Sequence, residues 1–508
     1  MAHRIVTGRG HDPVAGGLLE QSRFSRWLCS PNSGRVFVIL AALFVSYAYF
    51  YQGEGFNQNS RFDLTRAIVE KHTLRIDAYH ENTRDKALKD GHFYSDKAPG
   101  MSLMGVPVWE AGRIALRLAR KDPSEPRPVI AERYLVTVLT VALPAAIAAA
   151  CLFILALKFG ASVDGAGFAA VALGVATPFW CYSTLFWGHA PAAAFLLFAF
   201  AAAIALGEIN SPAWDVLLGT FLGLAAGWAV VTEFPSAPTA AVLGLWALAY
   251  AWPDGGRRVF RVGIGIAAGA LPCVLVLLIY NTLAFDSPFQ IGYPYNVMAA
   301  THTWHRQGFM GVAYPKASVL WEILIGRYRG LLPLAPVLAA APFGLWLLWK
   351  RANTRLCALV IAVIALYYVL FNAGYSVWDG GWTYGPRFLA PALPFLCLPL
   401  ALLWTRSTFA LRSLLAVLVL WGALMSLMAV STYSMPPDYV KSPVQQLLWP
   451  AFRAGHLSPF PGLWNLGMLV GLRGLASLIP LTLIWVAACA AWIWLGRLSR
   501  VPPNHVDY

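Results

Sequence analysis

Charged side chains are scarce in this sequence. They make up 12% of its 508 residues, against 58% for hydrophobic residues, whereas a soluble domain usually carries about 25% charged residues. Apolar runs of about 17 to 25 residues recur along the chain, which is the length that a helix needs to cross a hydrocarbon core of roughly 30 Å. A soluble protein is therefore excluded, and we predict a chain that crosses a bilayer many times.

Several sequence patterns are also missing, and each absence removes a class of function. No Gly-rich phosphate loop, HExxH motif or nucleophile elbow occurs, which argues against a soluble nucleotide-sugar enzyme. Six of the seven Cys fall within or beside apolar runs and none forms a CxxC pair, so no disulfide framework or metal knuckle is implied. The formal net charge of +14 is spread over short loops without a basic stripe, which excludes nucleic acid as a partner.

The apolar runs predict an all-α polytopic membrane protein. We expect about 12 (roughly 11 to 13) transmembrane helices and a large extracytoplasmic first loop that contains interfacial helices. No small-residue cleavage site follows the Arg-rich start, so the first span is expected to stay uncleaved. The predicted spans are residues 36–52, 134–157, 164–182, 190–207, 214–232, 236–252, 262–283, 331–349, 354–373, 388–405, 411–432 and 470–495.

Basic residues set the predicted orientation. Short loops rich in Lys and Arg stay in the cytoplasm, and with a cytoplasmic N-terminus every strongly basic short loop falls on that side. Residues 1–35 are then a cytoplasmic segment, residues 36–495 a transmembrane domain and residues 496–508 a cytoplasmic tail. Five segments are expected outside, and loops of this length usually carry function: 53–133, 183–189, 284–330, 374–387 and 433–469.

Residues 101–118 do not fit this scheme simply. They are apolar enough to enter the membrane, but Pro107, Glu110 and Arg113 interrupt them. A full span here would invert the polarity of everything downstream or require another span to be re-entrant. Because the later basic loops agree with one another, an interfacial or half-inserted helix is favoured.

The first outer loop mixes acids with cations throughout its length. This mixture at a membrane surface suits a reaction between an anionic lipid phosphate and a hydroxyl or amine, because a carboxylate takes the proton of the acceptor and cations neutralise the phosphate that leaves. Asp63 is predicted on a short interfacial helix from Arg61 to Lys71, near the plane of a lipid headgroup. Alternatively, Ser60 and Asp63 form a capping box, which would make Asp63 structural.

The string Tyr94-Ser-Asp96-Lys97-Ala-Pro99-Gly100 is the most distinctive short motif. Pro99 and Gly100 predict a turn, so Asp96 and Lys97 project from a constrained backbone. We expect Asp96 to be catalytic and Lys97 to bind phosphate, with Tyr94 near the acceptor or the sugar. The alternative is a salt bridge within the loop, of small energetic value.

Further candidates lie at the outer ends of other spans. His189 is expected to meet a phosphate or the acceptor, because an unperturbed imidazole titrates near neutral pH, or else to cap a helix. Glu233 is costly at that depth without a partner or a water-filled cavity, so it is either a site residue or half of a structural ion pair. Tyr293, in the string from Gly292 to Asn296, is a further candidate for contact with the acceptor or the sugar.

Two arginines precede spans in outer loops. Arg327 follows Gly326, and Arg387 ends the segment that begins at Trp378. A guanidinium matches phosphate geometry, so both are predicted to bind the donor phosphate; the alternative is snorkelling to lipid headgroups. Trp378 is expected to stack on a sugar or to anchor the aromatic belt. Several outer loops place a cation at the same predicted depth in the membrane, and this recurrence supports a phosphate site more strongly than any single residue does.

The first outer loop resembles that of the GT-C glycosyltransferases, in particular the bacterial branch that includes the protein O-mannosyltransferases and the aminoarabinose transferase acting on lipid A. The similarity rests on Arg61-Phe-Asp63, an Arg-aromatic pair that opens a helix, and on Tyr94-Ser-Asp-Lys-Ala-Pro99, an aromatic-acid-Lys-Pro turn that leads into an apolar helix. The rest of the chain matches that family only in topology.

This resemblance implies inverting transfer of a hexose or pentose from a polyprenyl-phosphate donor to a lipid, glycan or protein acceptor, outside the bacterial inner membrane. Relatives commonly place an acid just before the Arg-aromatic pair, where residues 57–60 of this chain are Asn, Gln, Asn and Ser. No cofactor is implied, and a divalent cation is left open. The base is a first-loop acid among three candidates: Asp63, which lies just after the Arg-aromatic pair and is preferred, Glu54 and Asp77.

A transporter or flippase for a lipid or a small anion is the alternative from another class. It predicts ionisable residues at mid-membrane and matched, Gly/Pro-broken helices in two halves. The span interiors are nearly free of ionisable residues and no convincing internal repeat is present, so the glycosyltransferase is preferred. Under the glycosyltransferase hypothesis, the polyprenyl tail of the donor lies against the spans among membrane lipids. Its phosphate is expected to contact Arg61, Lys97, Arg327 and Arg387.

Overall fold

The computed structural model describes residues 31–53, 55–122, 125–298, 304, 307–459 and 462–498. Most of the predicted cytoplasmic segments 1–35 and 496–508, together with Glu54, lies outside these residues. Four short strands in the described part form two antiparallel pairs, Phe50–Tyr51 with Trp464–Asn465 and Lys86–Lys89 with His92–Ser95. The α-helices are Pro31–Ala48, Phe56–Lys71, Gly100–Leu118, Pro126–Thr137, Leu143–Lys158, Val163–Val175, Phe179–Tyr182, His189–Glu208, Pro212–Thr232, Ala237–Ala251, Gly256–Phe285, Ala317–Leu324, Leu331–Leu334, Ala341–Trp349, Arg355–Gly374, Leu393–Cys397, Leu400–Arg406, Phe409–Ser431, Trp449–Arg453, Leu466–Leu469 and Ile479–Leu498.

Apolar helices coincide with all twelve predicted spans, which confirms an all-α polytopic membrane protein. Three of them are shorter than a full crossing: Asn32–Ala48, Val163–Val175 and Pro336–Trp349. Nine helical segments of the described chain, some joining adjacent helices, are long and apolar enough to cross a bilayer: Pro128–Lys158, His189–Glu208, Pro212–Thr232, Phe234–Asp254, Gly256–Phe285, Ala352–Gly374, Arg387–Arg406, Phe409–Ser431 and Gly474–Leu498.

Small residues let the spans pack closely. Where helix Pro212–Thr232 crosses helix Gly256–Phe285, a Cβ added to Gly223 would stand 2.1 Å from the carbonyl oxygen of Ile266. A Cβ added to Gly269 would stand 1.9 Å from the backbone of the partner helix. Membrane helices associate through such close backbone contact, because lipid offers no hydrophobic driving force between them.

The predicted inner and outer loops collect at opposite ends of the helix bundle. Inner-loop residues contact one another: Lys158 pairs with Glu208, and Arg351 Nη1 donates to the carbonyl oxygen of Phe159 at 2.7 Å. The five predicted outer segments meet at the other end, around a cavity. Which end faces the cytoplasm stays a prediction.

The first outer loop contains a helix that starts earlier than predicted. The helix is Phe56–Lys71, with Gly55 as its N-cap residue, instead of beginning at Arg61. Ser60 is therefore inside the helix, where its Oγ shares a hydrogen bond with Ser95 Oγ at 2.8 Å. The capping-box alternative is wrong, because Ser60 does not occupy a cap position.

Helix Gly100–Leu118 contains the ambiguous segment 101–118, and it packs against the first-loop helix. It is not among the helices apolar enough to span. Its Arg113 is buried and pairs with Glu70 at 2.5 Å and with Glu132 at 3.2 Å. A cation held in protein contacts instead of lipid agrees with the interfacial or half-inserted helix that was predicted.

Candidate active site

A cavity of about 960 Å³ opens at the end of the bundle where the predicted outer segments meet. Its wall draws on every one of those segments and on Glu233, which follows a span directly. Because each contributing loop ends on a packed helix, side chains far apart in sequence are held around one space. The cavity lies beside apolar spans and combines apolar with polar walls, which is typical of ligand sites.

Asp96 and Lys97 lie in the cavity wall, at the turn between strand His92–Ser95 and helix Gly100–Leu118. Asp96 Oδ2 accepts a hydrogen bond from Lys97 Nζ at 3.2 Å and another from Asn296 Nδ2 at 2.7 Å. The other carboxylate oxygen, Oδ1, is buried and has no hydrogen-bond partner. The turn that was predicted from Pro99 and Gly100 therefore carries Asp96 with one carboxylate oxygen that has no hydrogen-bond partner.

The electrostatics of this pair suit proton transfer. Burial raises the pKa of Asp96 above its ordinary value, and Lys97 offsets that effect only partly. Burial also opposes the charge on Lys97, but Asp85, whose Oδ2 lies 3.0 Å from Lys97 Nζ, and Asp96 outweigh it and raise the pKa of the ammonium. Lys97 thus keeps its positive charge, while the raised pKa of Asp96 makes this carboxylate a stronger proton acceptor than an exposed one.

Arg61 reaches the cavity from the first-loop helix. Its Nη2 donates to Glu233 Oε1 at 2.9 Å, whereas Nε and Nη1 are buried without a hydrogen-bond partner. His189 Nδ1 lies 3.8 Å from the same carboxylate oxygen. Burial favours the neutral form of Glu233, but His189 and Arg61 outweigh it and lower the pKa of this acid. Glu233 is thus an anion that holds Arg61 beside the cavity.

Arg387 supplies a second guanidinium to the cavity. Its guanidinium carbon lies 5.4 Å from the ring centre of Trp187 and 4.9 Å from that of Phe388. Its Nε is buried without a hydrogen-bond partner. Buried donors are normally paired, so the unused donors of Arg61 and Arg387 mark a place for an anion.

Tyr293 and Trp378, which the sequence placed near the acceptor or the sugar as a prediction, also line the cavity. The ring of Tyr293 stands edge-on to Phe234 with centroids 6.3 Å apart. Trp378 stands edge-on to Tyr328 with centroids 6.1 Å apart. These packing contacts fix both rings in the wall.

Asp63, the preferred base, does not line the cavity. It is fully buried behind the wall, where Asn82 Nδ2 donates to its Oδ1 at 3.2 Å. Burial raises the pKa of Asp63 to about 7. Because Asn82 does line the cavity, Asp63 is placed to orient a wall residue and not to touch a ligand itself.

Three more predicted residues lie elsewhere. Asp77 is exposed and accepts a hydrogen bond from the backbone N–H of Phe93 at 2.7 Å. Tyr94 packs against Phe285, 5.7 Å between ring centroids, in an apolar cluster under the hairpin. Arg327 is exposed and lines a separate groove of about 150 Å³. The structure therefore brings none of these three side chains to the cavity.

Arg329, two residues after Arg327, is the buried arginine of this loop and was missed. It donates to the carbonyl oxygens of Asp379, Gly381 and Thr383 at 2.6 to 3.0 Å. These bonds hold the outer loop that carries Trp378 against the rest of the wall. Nothing in the sequence distinguished the two arginines, since both stand between the same glycines.

Asp85 and Asn296 are site residues that the sequence did not single out. Asp85 is paired with Lys97, and Asn296 donates to Asp96. Among the residues described, no group of three or more His, Cys, Asp or Glu is placed to hold a metal ion. The carboxylates of Asp85 and Asp96 share one ammonium, and a divalent cation would have to displace it.

Comparison with solved structures finds ArnT from Cupriavidus metallidurans. Its structure with bound undecaprenyl phosphate superposes with a TM-score of 0.52 at 16% identity, over 91% of this chain and 75% of that chain. Its apo state gives a TM-score of 0.51 at 14% identity, over 91% and 74%. The archaeal oligosaccharyltransferase AglB from Archaeoglobus fulgidus, in complex with an inhibitory peptide and a dolichol-phosphate, gives 0.44 at 11%, over 84% and 58%.

No protein-family model and no curated protein matches the sequence. At these identities the likeness to ArnT concerns the fold alone. It confirms, at the level of the fold, the GT-C resemblance that was predicted from the first outer loop. The same fold therefore extends over nearly the whole chain, well beyond the segment in which motifs are recognisable.

Proposed function

We propose that this protein is a glycosyltransferase that moves a sugar from a polyprenyl-phosphate donor to a lipid, glycan or protein acceptor at the extracytoplasmic face of the bacterial inner membrane. The observation that carries the proposal is one cavity with unused donors of Arg61 and Arg387, the ammonium of Lys97 and an unused oxygen of Asp96. ArnT, whose fold the chain shares, has been solved with undecaprenyl phosphate. Such a lipid joins a phosphate to a long apolar tail, which suits a cationic cavity beside apolar spans.

The donor phosphate is bound by the cations of the wall. Arg61 offers Nε and Nη1, and Arg387 offers Nε, in the planar geometry that phosphate oxygens accept. Lys97 adds a point charge close to Asp96. The negative charge on the leaving phosphate grows during transfer, so fixed cations lower the barrier by stabilising the transition state more than the ground state.

Asp96 is the base in this mechanism, in place of Asp63. The acceptor O–H attacks the anomeric carbon, and Asp96 Oδ1 takes the proton. A new C–O bond to the acceptor forms as the C–O bond to phosphate breaks, and the polyprenyl phosphate leaves with that electron pair. A single displacement inverts the anomeric configuration. Asp63 cannot take this role where it lies, because the wall residue Asn82 stands between its carboxylate and the cavity.

The transporter alternative is disfavoured by the placement of charge along the spans. In the nine candidate spans of the described chain, every Asp, Glu, Lys, Arg and His lies within six residues of an end. A transporter places ionisable groups near the bilayer midplane, where its substrate binds. Here the charged cavity is at the end of the bundle instead.

The test is release of polyprenyl phosphate by the purified protein. Incubated with glucosyl, mannosyl or arabinosyl undecaprenyl phosphate and a mixed extract of envelope lipids and glycans, the wild type is expected to release undecaprenyl phosphate. Asp96→Asn should release it at least about 10²-fold more slowly under the same conditions. Release by neither protein with any donor, or equal release by both, would contradict the proposal. Movement of the intact donor lipid across a proteoliposome membrane without cleavage would favour the flippase.

A further inference from the structure

The start of the first-loop helix contributes an unusual patch to the cavity wall. Asn57, Gln58 and Asn59, together with Asn82 from the neighbouring turn, all line the cavity, and each has a buried side-chain oxygen without a hydrogen-bond partner. Gln58 and Asn59 are only 1% and 4% exposed. We call these four residues the amide patch.

Three of the four amide nitrogens of the patch, those of Gln58, Asn59 and Asn82, already donate hydrogen bonds within the protein. Asn59 Nδ2 donates to the backbone carbonyl of Asn82 at 2.9 Å, and a carbonyl can only accept, so the orientation of this amide is fixed. Asn82 Nδ2 donates to the carboxylate of Asp63. Gln58 Nε2 donates to Met435 Sδ at 3.4 Å. The patch therefore keeps acceptor oxygens for a ligand.

The unpaired oxygens of the amide patch favour a ligand group that donates hydrogen bonds. A buried acceptor left unsatisfied costs about 1–3 kcal/mol, and a hydroxyl group of a bound ligand removes that cost. Phosphate has no proton to donate when fully ionised, so it belongs with the cations and not with the amide patch. The hydroxyl groups of a sugar, several of which donate hydrogen bonds from one small ring, match the chemistry of the patch.

The helix brings the amide patch next to the phosphate ligands. Asn57 and Gln58 precede Arg61 by four and three residues, and residues at these spacings lie on the same face of a helix, about 5–6 Å apart. Whatever is bonded to a phosphate held by Arg61 therefore lies within reach of the amides. In a polyprenyl-phosphate donor that group is the transferred sugar.

We infer that the amide patch is the subsite for the hydroxyl groups of the transferred sugar. This inference rests on the proposed function and assigns a role to the positions where the related family carries an acid. Asp63 acts there as a positioning residue, because it fixes the amide of Asn82. The subsite contributes to the affinity for glycosylated donor lipids and contributes nothing to the affinity for the lipid phosphate alone.

The experiment compares Kd values for undecaprenyl phosphate with those for its glucosyl, mannosyl and arabinosyl forms. The wild type should bind at least one glycosylated form more tightly than the sugar-free lipid. Gln58→Met, which keeps length but removes the acceptor, should weaken that glycosylated form about tenfold and leave the sugar-free Kd unchanged. Asn59→Leu provides a second, independent variant, and Gln445→Met, an exposed amide outside the cavity, is the matched control.

The outcomes separate the two claims. If both variants keep the wild-type preference for the glycosylated lipid, or lose sugar-free binding to the same extent, the subsite is not where we infer it. If the wild type binds none of the four lipids, the result contradicts the proposed function and therefore also this inference. Retention of the wild-type denaturation temperature in detergent by at least one variant shows that the comparison concerns binding and not folding.

Discussion

Both ends of the helix bundle bury arginines beside acids, yet the two ends use them differently. At the basic end, Arg258 donates to Asp215 at 3.0 Å and to the carbonyl oxygens of Leu206 and Ile209 at 2.5 and 2.7 Å. At the cavity end, Arg61 keeps two nitrogens without partners. A buried unpaired donor is costly, and an anion bound in the cavity would remove that cost at Arg61.

The same contrast recurs within the cavity end. Arg329 donates to three backbone carbonyls of the loop that it holds, whereas Arg387 faces the cavity with Nε unpaired. Residue type does not distinguish the two arginines. Their hydrogen-bond partners distinguish them: Arg329 is bonded to the backbone and stabilises the loop, whereas Arg387 has a donor available for a ligand.

The largest expected effect comes from Asp96, whose Oδ1 is a buried carboxylate oxygen in the cavity wall without a hydrogen-bond partner. Asp96→Asn should reduce kcat for release of polyprenyl phosphate by about 10²- to 10⁴-fold, because general base catalysis contributes that much. Asp63→Asn is the comparison variant, since it alters a buried acid outside the cavity that positions Asn82 without touching the acceptor, and it should retain turnover within about tenfold. If Asp63→Asn lowered turnover more than Asp96→Asn did, Asp63 and not Asp96 would be the base.

The arginine comparison predicts a large loss of stability at the basic end. Arg258→Gln leaves the fully buried Asp215 paired with Arg261 alone, and the loss of a hydrogen bond to a charged group should cost about 1.5–3 kcal/mol. The denaturation temperature in detergent should fall clearly. Arg387→Gln should change it little, and an equal fall in both variants would erase the distinction between structural and ligand-binding arginines.

The pH dependence of stability tests the burial of Asp63. Its pKa is raised from 3.8 to about 7, so the folded state holds a proton that the unfolded chain releases, and the group destabilises the fold increasingly as pH rises through that window. Asp63→Asn is neutral at every pH. Its stability relative to the wild type should rise between pH 4 and pH 7 by an amount on the order of 1–3 kcal/mol. A difference that does not vary with pH would show that Asp63 is not buried as described.

The smallest effect is expected from substitution of Arg387 in the cavity wall. Arg387→Gln removes one charged hydrogen-bond donor, and the Kd for undecaprenyl phosphate should rise about tenfold. Arg327→Gln is the control, because Arg327 lies outside the cavity, and its Kd should equal that of the wild type. A stronger effect at Arg327 than at Arg387 would move the phosphate site to the smaller groove.

Sequence patterns predicted the fold and part of the site. Hydropathy located the spans, since lipid demands apolar helices of a given length whatever their neighbours are. The string around Asp96 and Lys97 was recognisable because Pro and Gly constrain its backbone locally. Asp63 was preferred because it follows Arg61 in sequence, but a helix turns 100° per residue, and that rotation directs Asp63 behind the wall.

By itself, the sequence determined the membrane-spanning class, the segregation of basic and mixed-charge loops, and the residues available for chemistry. Only the tertiary structure decided which of these residues share the cavity, which arginines are already paired, and which amide oxygens remain unpaired beside Arg61. Hydrophobic length and loop charge act locally along a chain, whereas hydrogen-bond satisfaction depends on partners hundreds of residues away.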